Sequence, residues 1–103
     1  MIYLKQYDTG YGLENTLTNE NGAVDLTDAT VLFYMGEHEI HTQITDASNG
    51  QVMVVFDRAH TEKPGKKRAE FKVTYQDGRV ETFPSREYID ILIQKSVGGN
   101  TNG

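Results

Sequence analysis

The chain has no cysteine, no tryptophan, 2 prolines and no long apolar run. Without cysteine there is no disulfide, no thiolate nucleophile and no thiolate metal ligand, an absence that suits folding in a reducing cytoplasm. No stretch approaches the roughly 18 apolar residues of a membrane-spanning helix. The opening MIYLKQYDTG lacks the basic region and apolar run of a secretory signal. The expectation is a chain that leaves its cell by another route, such as lysis. Cations are the minority, 10 Lys and Arg against 15 Asp and Glu, for a formal net charge of −5. That balance disfavours nucleic acid and acidic membranes as partners and supports solubility. Also missing is any long 3.6-residue period, so no amphipathic helix is expected.

What is present is β patterning. At 103 residues the chain has the length of a single domain, able to bury roughly two-thirds of its unfolded surface without staples. The organising stretch is KKRAEFKVTYQDGRVETF, residues 66–83. Ala69, Phe71, Val73 and Tyr75 alternate with Arg68, Glu70, Lys72 and Thr74, giving one buried and one wet face. Asp77-Gly78 reads as a type I′ turn closing a hairpin, with Gly78 at positive φ. That two-residue loop sets Gln76 opposite Arg79, Tyr75 opposite Val80 and Val73 opposite Thr82, and it leaves Phe83 on the wet face with Lys72.

Along the rest of the chain, residues 1–6 alternate as a short first strand, and Gly10 and Gly12 mark a bend or bulge. Residues 13–18 resume the strand pattern, and Asn19-Glu20-Asn21-Gly22 supplies turn chemistry. Asp25-Leu26-Thr27-Asp28 reads as a corner held by short polar side chains. TVLFYM, residues 30–35, is apolar on both phases. It suits a central strand between the core and a second covering layer, with Val31, Phe33 and Met35 facing the core. Residues 37–44 form an edge strand that pairs in a second hairpin with 51–56, where Val52, Val54 and Phe56 share a face. Residues 57–65 are a polar loop with room for one helical turn. Residues 86–95 close the fold with Ile89, Ile91 and Ile93 inward. The expected architecture is all-β: an antiparallel, immunoglobulin-like β-sandwich of about seven to eight short strands. It occupies residues 1–95 as a single domain, with residues 96–103 as a flexible C-terminal tail or linker.

Chemistry is sparsely signalled. His38 and His41 are spaced i, i+3 rather than as HExxH, and on a strand they point to opposite faces. Only Glu37, Glu39 and His41 share a direction there. The carboxylates Asp25, Asp28, Asp57 and Glu62 sit in loop-like sequence as turn formers, and no EF-hand spacing occurs. Ser48, Ser85 and Ser96 have no Gly-x-Ser-x-Gly elbow. No catalytic residue, metal ligand or cofactor site is therefore expected. Two features remain. Lys63, Lys66, Lys67 and Arg68 form a basic run that reads either as a phosphate or anionic-sugar contact or as a solvated strand entrance. Tyr3, Tyr7 and Tyr11 recur every fourth residue and read either as an exposed aromatic interface or as sandwich-edge packing.

The sequence QYDTGYGLENTLTNENGAVDLTDATVLFYM, the strand entry at Gly50-Gln51-Val52, then PGKKRAEFKVTYQDGRVETFP and YIDILI resemble the N-terminal immunoglobulin-like domain of phage baseplate upper proteins and related tail-fibre proteins. The resemblance runs from about residue 6 to residue 93. It implies a non-enzymatic structural or adaptor domain of a phage or prophage virion, made in the bacterial host cytoplasm. Such a domain docks on other tail and baseplate proteins and carries host-recognition parts, as a trimer within a longer parent protein. A carbohydrate-binding or adhesin-like module on the same scaffold is the alternative reading.

Overall fold

Strand β9 (Gly65–Thr74) is the longest element, and its alternation is the expected one. Ala69, Phe71 and Val73 are buried while Lys66, Arg68, Lys72 and Thr74 are exposed. The structure, a computed structural model, describes residues 1–9 and 12–97. Around β9 lie β1 (Ile2–Lys5), β5 (Thr30–Met35), β6 (His38–His41), β10 (Val80–Phe83) and β11 (Ile89–Gln94). These strands make one sheet in the order β1-β11-β9-β5-β6, with β10 also on β9. A second sheet has the order β2-β8-β7, from β2 (Gly12–Thr16), β7 (Gln43–Asp46) and β8 (Gln51–Val55). The short pair β3 (Thr18–Asn19) and β4 (Gly22–Ala23) forms the turn between β2 and the Asp25 corner.

β9 bonds to β5 along one side from Ala69 to Thr74. Its other side is shared, β11 taking Gly65 to Ala69 and β10 taking Phe71 to Thr74. Its inward side chains meet Val31, Phe33 and Met35 of β5 and Ile91 and Ile93 of β11. The second sheet contributes Val52 and Val54, and Leu17, Leu26 and Phe56 complete the cluster. Phe33 lies at the centre of this layer, its ring 4.8 Å from Phe71 and 6.1 Å from Phe56, the latter edge-on. Such aromatic pairs add to the gain from area burial alone.

Four expectations are corrected. The first concerns the 66–83 hairpin, whose loop is one residue longer. Tyr75 N–H donates to Arg79 O at 2.9 Å and Gly78 N–H donates to Tyr75 O at 2.9 Å. Gly78 has φ 92° and Asp77 is not at positive φ. This is a type I turn followed by a bulge at glycine, and the Asp77 carboxylate reinforces it by accepting from Arg79 N–H at 3.0 Å. The register therefore shifts by one: Val80 faces Thr74, Glu81 faces Val73 and Phe83 faces Phe71. Because strand side chains alternate with period two, that single step moves Phe83 from the wet face into the core and leaves Val80 58 % exposed.

The second correction is that the sandwich is not wholly antiparallel, since β1 runs parallel to β11, Ile2 beside Ile91 through Lys5 beside Gln94. Third, residues 37–44 are two strands in different sheets. The chain crosses at Thr42, whose N–H donates to Val31 O at 3.2 Å. The last is the strand count, because splits of this kind bring the number to eleven among the described residues. In the 57–65 loop the helical turn is present as α1 (Arg58–Thr61). Asp57 caps it, accepting from Ala59 and His60 N–H, while His60 Nδ1 accepts the N–H of Asp57 at 3.0 Å. At the Asp25 corner the carboxylate accepts from Thr27 N–H at 3.0 Å and Thr27 Oγ1 at 2.6 Å. Those two bonds hold its pKa below the usual carboxylate range.

Candidate docking face

The outward phase of the larger sheet is set by the same alternation that fills the core. On β9 it presents Lys66, Arg68, Glu70, Lys72 and Thr74. The registers then fix what lies beside each. Tyr3 of β1, Leu92 of β11 and Lys66 form one row across the strands. His41 of β6, Leu32 of β5, Lys72 and Thr82 of β10 form another. Between them, Glu39 of β6, Tyr34 of β5 and Glu70 form a third. The Lys72 ammonium sits 5.4 Å from the Tyr34 ring centre and the Arg68 guanidinium 5.0 Å from that of Tyr88. Burial and the neighbouring Glu39 carboxylate push the Tyr34 phenol pKa up.

This face answers the both-phase apolar pattern of TVLFYM. Leu32 and Tyr34 do point away from the core, yet among the described residues no second layer covers them. They are half-buried by their strand neighbours, while Tyr3 is 61 % and Tyr88 49 % exposed. Lys5, Lys66, Arg68 and Lys72 offset Glu39, Glu70 and Asp90 here, so the face does not share the acidic excess of the chain. Tyrosine with arginine and apolar residues, low in net charge, is the composition of protein–protein contact centres.

Of the predicted tyrosines, the two that are described, Tyr3 and Tyr7, lie in different places. Tyr3 lies on this face at the edge strand. Tyr7 lies beyond the end of β1 at φ 72°, under the Arg58 guanidinium 4.3 Å from its ring, with its N–H donating to Thr61 O at 3.2 Å. Tyr11 lies outside the described residues. Sequence reasoning missed Tyr34, Tyr88, Leu32 and Leu92. The signal for Leu32 and Tyr34 was their outward phase within an apolar strand, and Leu92 shows the same signal in β11. Of the basic run, Lys66 and Arg68 belong to the face, Lys63 pairs with Glu37 at 3.4 Å on the surface, and Lys67 has the inward phase.

No group of three or more His, Asp or Glu side chains is placed to hold a metal ion among the described residues. Glu39 and His41 share the outward side of β6, and His38 points the opposite way. A cleft of about 220 Å³ opens between the two sheets where Asn15, Leu17 and Thr18 approach Phe83, Pro84 and Ile89. Its lining holds no titratable side chain, so it offers nothing for acid–base catalysis.

No curated protein matches the chain. Among solved structures, the N-terminal domain of phage TP901-1 ORF48 has a similar fold, with a TM-score of 0.72 at 17 % identity over 92 % of this chain and 85 % of that one. The model of the BppU N-terminal domain matches residues 1–85. The chain therefore belongs to the BppU N-terminal domain family, the structural domain at the start of phage baseplate upper proteins.

Proposed function

We propose that this domain is a non-enzymatic adaptor of a phage tail, docking through the outer face of its six-stranded sheet onto another tail or baseplate protein. The observation that supports this reading is that outer face itself: Tyr3, Leu32, Tyr34, Tyr88 and Leu92 interleaved with Lys66, Arg68 and Lys72, with no covering layer among the described residues. An interface of standard size buries about 800 Å² per partner, and a handful of aromatic and arginine anchors carry most of its energy. The sheet offers a rigid platform for such anchors, because both edges of β9 are bonded and each outward side chain is fixed by its register. In the full assembly the domain belongs to the virion tail, and we infer a longer trimeric parent that carries the host-recognition parts. The strand order β1-β11-β9-β5-β6 over β2-β8-β7 supports reading the scaffold as immunoglobulin-like.

The test is to mix the purified domain with each tail-tip protein of the same genome and, separately, with host cell-wall glycans. Saturable binding to one tail protein is expected. Tyr34→Ala and Leu92→Asp should each weaken it about 30-fold or more, the effect of losing an anchor worth ~2 kcal/mol or more. Glu20→Gln, in the distant β3–β4 turn, should not. Binding to glycan alone overturns the adaptor reading in favour of a carbohydrate-binding module, and unchanged affinity in both face variants overturns the choice of face.

A further inference from the structure

At one end of the sandwich two inward positions are not apolar. His38 on β6 and Lys67 on β9 both have the core-facing phase, and both are half-buried. The single turn α1 sets His60 over this end, its ring centre 5.3 Å from that of His38 and the two planes at 72°. Together with Met35, Gly36, Glu37 and Lys63 these side chains line a cavity of about 210 Å³. The opposite end of the sandwich makes a useful contrast. There the inward-phase Glu81 is satisfied by the Tyr75 hydroxyl, which donates to it at 2.7 Å. Lys67 has no carboxylate within ion-pair distance among the described residues, and the one acid in the lining, Glu37, already pairs with Lys63 at 3.4 Å. A lysine without a counter-charge at a half-buried, core-facing position is an unusual thing for a fold to keep.

We propose that this cavity is a binding site for a phosphate-type oxyanion, held by Lys67, His60 and His38. The lining suits a tetrahedral anion better than a planar carboxylate, because its donor residues come from three separate elements, β6, α1 and β9. His60 is already oriented for the role. Its Nδ1 accepts the N–H of Asp57, so in the neutral ring the proton sits on Nε2, a free donor. On protonation Nδ1 gives up the Asp57 N–H and becomes a donor to the Asp57 carboxylate oxygen 3.4 Å away, so the ring exchanges one bond to Asp57 for another and gains charge.

The same arrangement makes the site sensitive to pH. The groups around His60 are Asp57 on its own turn, His38 on β6, Glu37 before β6, Lys63 after α1 and Lys67 on β9, beside the edge of the Phe56 ring. Burial lowers the His60 pKa from the ordinary imidazole value; the Asp57 carboxylate raises it and His38 lowers it further. An anion in the cavity stabilises the cationic form of His60 and screens it from His38 and the lysines, so binding takes up protons and tightens as pH falls.

The experiment is a titration of the protein with sulfate, whose charge is constant over the range, followed by the imidazole Hε1 resonances of His38 and His60 at pH 5.5 and 7.5 and constant ionic strength in chloride. Saturable shifts at both rings are expected, with affinity about fivefold higher at pH 5.5, the change that a one-unit rise in a lowered imidazole pKa on binding gives over this window. Lys67→Met should lower the affinity about tenfold at either pH, while Lys66→Met, on the outer face, should not. Parallel titrations with inorganic phosphate and dimethyl phosphate separate the sources. Equal binding of the diester shows that the site accepts a phosphodiester, and binding of inorganic phosphate alone restricts it to the free ion or a monoester. Non-saturable shifts, an absence of shifts at the two imidazoles, pH-independent affinity, or full affinity in Lys67→Met each overturn the proposal. All of these readouts are independent of the docking face.

Discussion

Gly50 and Gly78 have similar backbone demands and very different surroundings, which makes them a controlled pair. Their φ angles are 68° and 92°, and both are glycines for which an L side chain is strained. That strain costs about 1 to 2 kcal/mol per residue. At Gly78 nothing lies within 4 Å of where a Cβ would stand, so Gly78→Ala should cost that conformational amount alone. At Gly50 the same Cβ would stand 2.7 Å from Leu17 O and 2.9 Å from Val24 O. Neither neighbour can yield cheaply. Gly50 O accepts Leu17 N–H at 2.8 Å and Leu17 O accepts Val24 N–H at 3.0 Å, so relieving the clash means opening this knot of backbone bonds. Losing one or two of these in a buried setting adds about 1 to 3 kcal/mol. The expected cost of Gly50→Ala is therefore about 2 to 5 kcal/mol, a large share of the ~5 to 15 kcal/mol of a domain of this size. Urea unfolding of both variants, followed by tyrosine fluorescence, measures the difference. If the two alanines shift the midpoint equally, the steric argument at Gly50 fails and backbone strain accounts for both.

Phe71→Ala empties the position where β5 and β9 meet and should cost about 3 to 5 kcal/mol, read as a loss of cooperative unfolding or a large fall in midpoint. Tyr75 should titrate late. Burial, followed by the bond to Glu81, pushes its pKa up to about 12, so one of the 6 tyrosines should ionise well above pH 10 in an absorbance titration, and Glu81→Gln should bring it down. The unfolded chain loses that proton first, so this contact's contribution to stability declines between about pH 10 and 12. His60 has the opposite consequence in acid. With its folded pKa lowered, the unfolded chain binds the proton more readily, and stability without added oxyanion should fall as pH drops below about 6.5. Thermal melts of the protein and His60→Gln at pH 7.5 and 5.5 check this, the variant being expected to lose less on acidification.

The parts of the fold that were legible in the sequence are those decided by side-chain period. Ala69, Phe71 and Val73 alternate with charges, and Ile89, Ile91 and Ile93 repeat at every second position, so their inward phase follows from period. Register was not legible in that way. Asp-Gly serves a two-residue or a three-residue loop, and only the burial of Phe83 distinguishes them, a long-range consequence of packing against Phe71. The split at Thr42 was hidden for a different reason. Ile40 and Ile44 keep the same parity on either side of it because both sheets face one core, so the alternation continues while the strand changes partner. The parallel pairing of β1 with β11 joins residues some ninety positions apart and leaves no local trace. As for the candidate sites, outward Leu32 and Tyr34 were visible as a strand with two apolar phases. The meeting of His38, His60 and Lys67 was not, since it depends on α1 folding over the end of a sheet built from distant segments.

The parallel pairing of β1 with β11 also determines how the domain responds to force. Load applied before Ile2 and after Gln94 pulls the two strands in opposite directions along their common axis. The bonds between Ile2–Lys5 and Ile91–Gln94 are then stretched side by side in shear instead of parting one after another. We infer a mechanical clamp, in which rupture waits until the ladder fails as a unit and the force needed is governed by the unfolding barrier rather than by equilibrium stability. Pulled from those two points in a single-molecule experiment, the domain should extend in one high-force event. Pulled across the β9–β10 hairpin, whose antiparallel bonds open from the ends inward, it should yield at a markedly lower force.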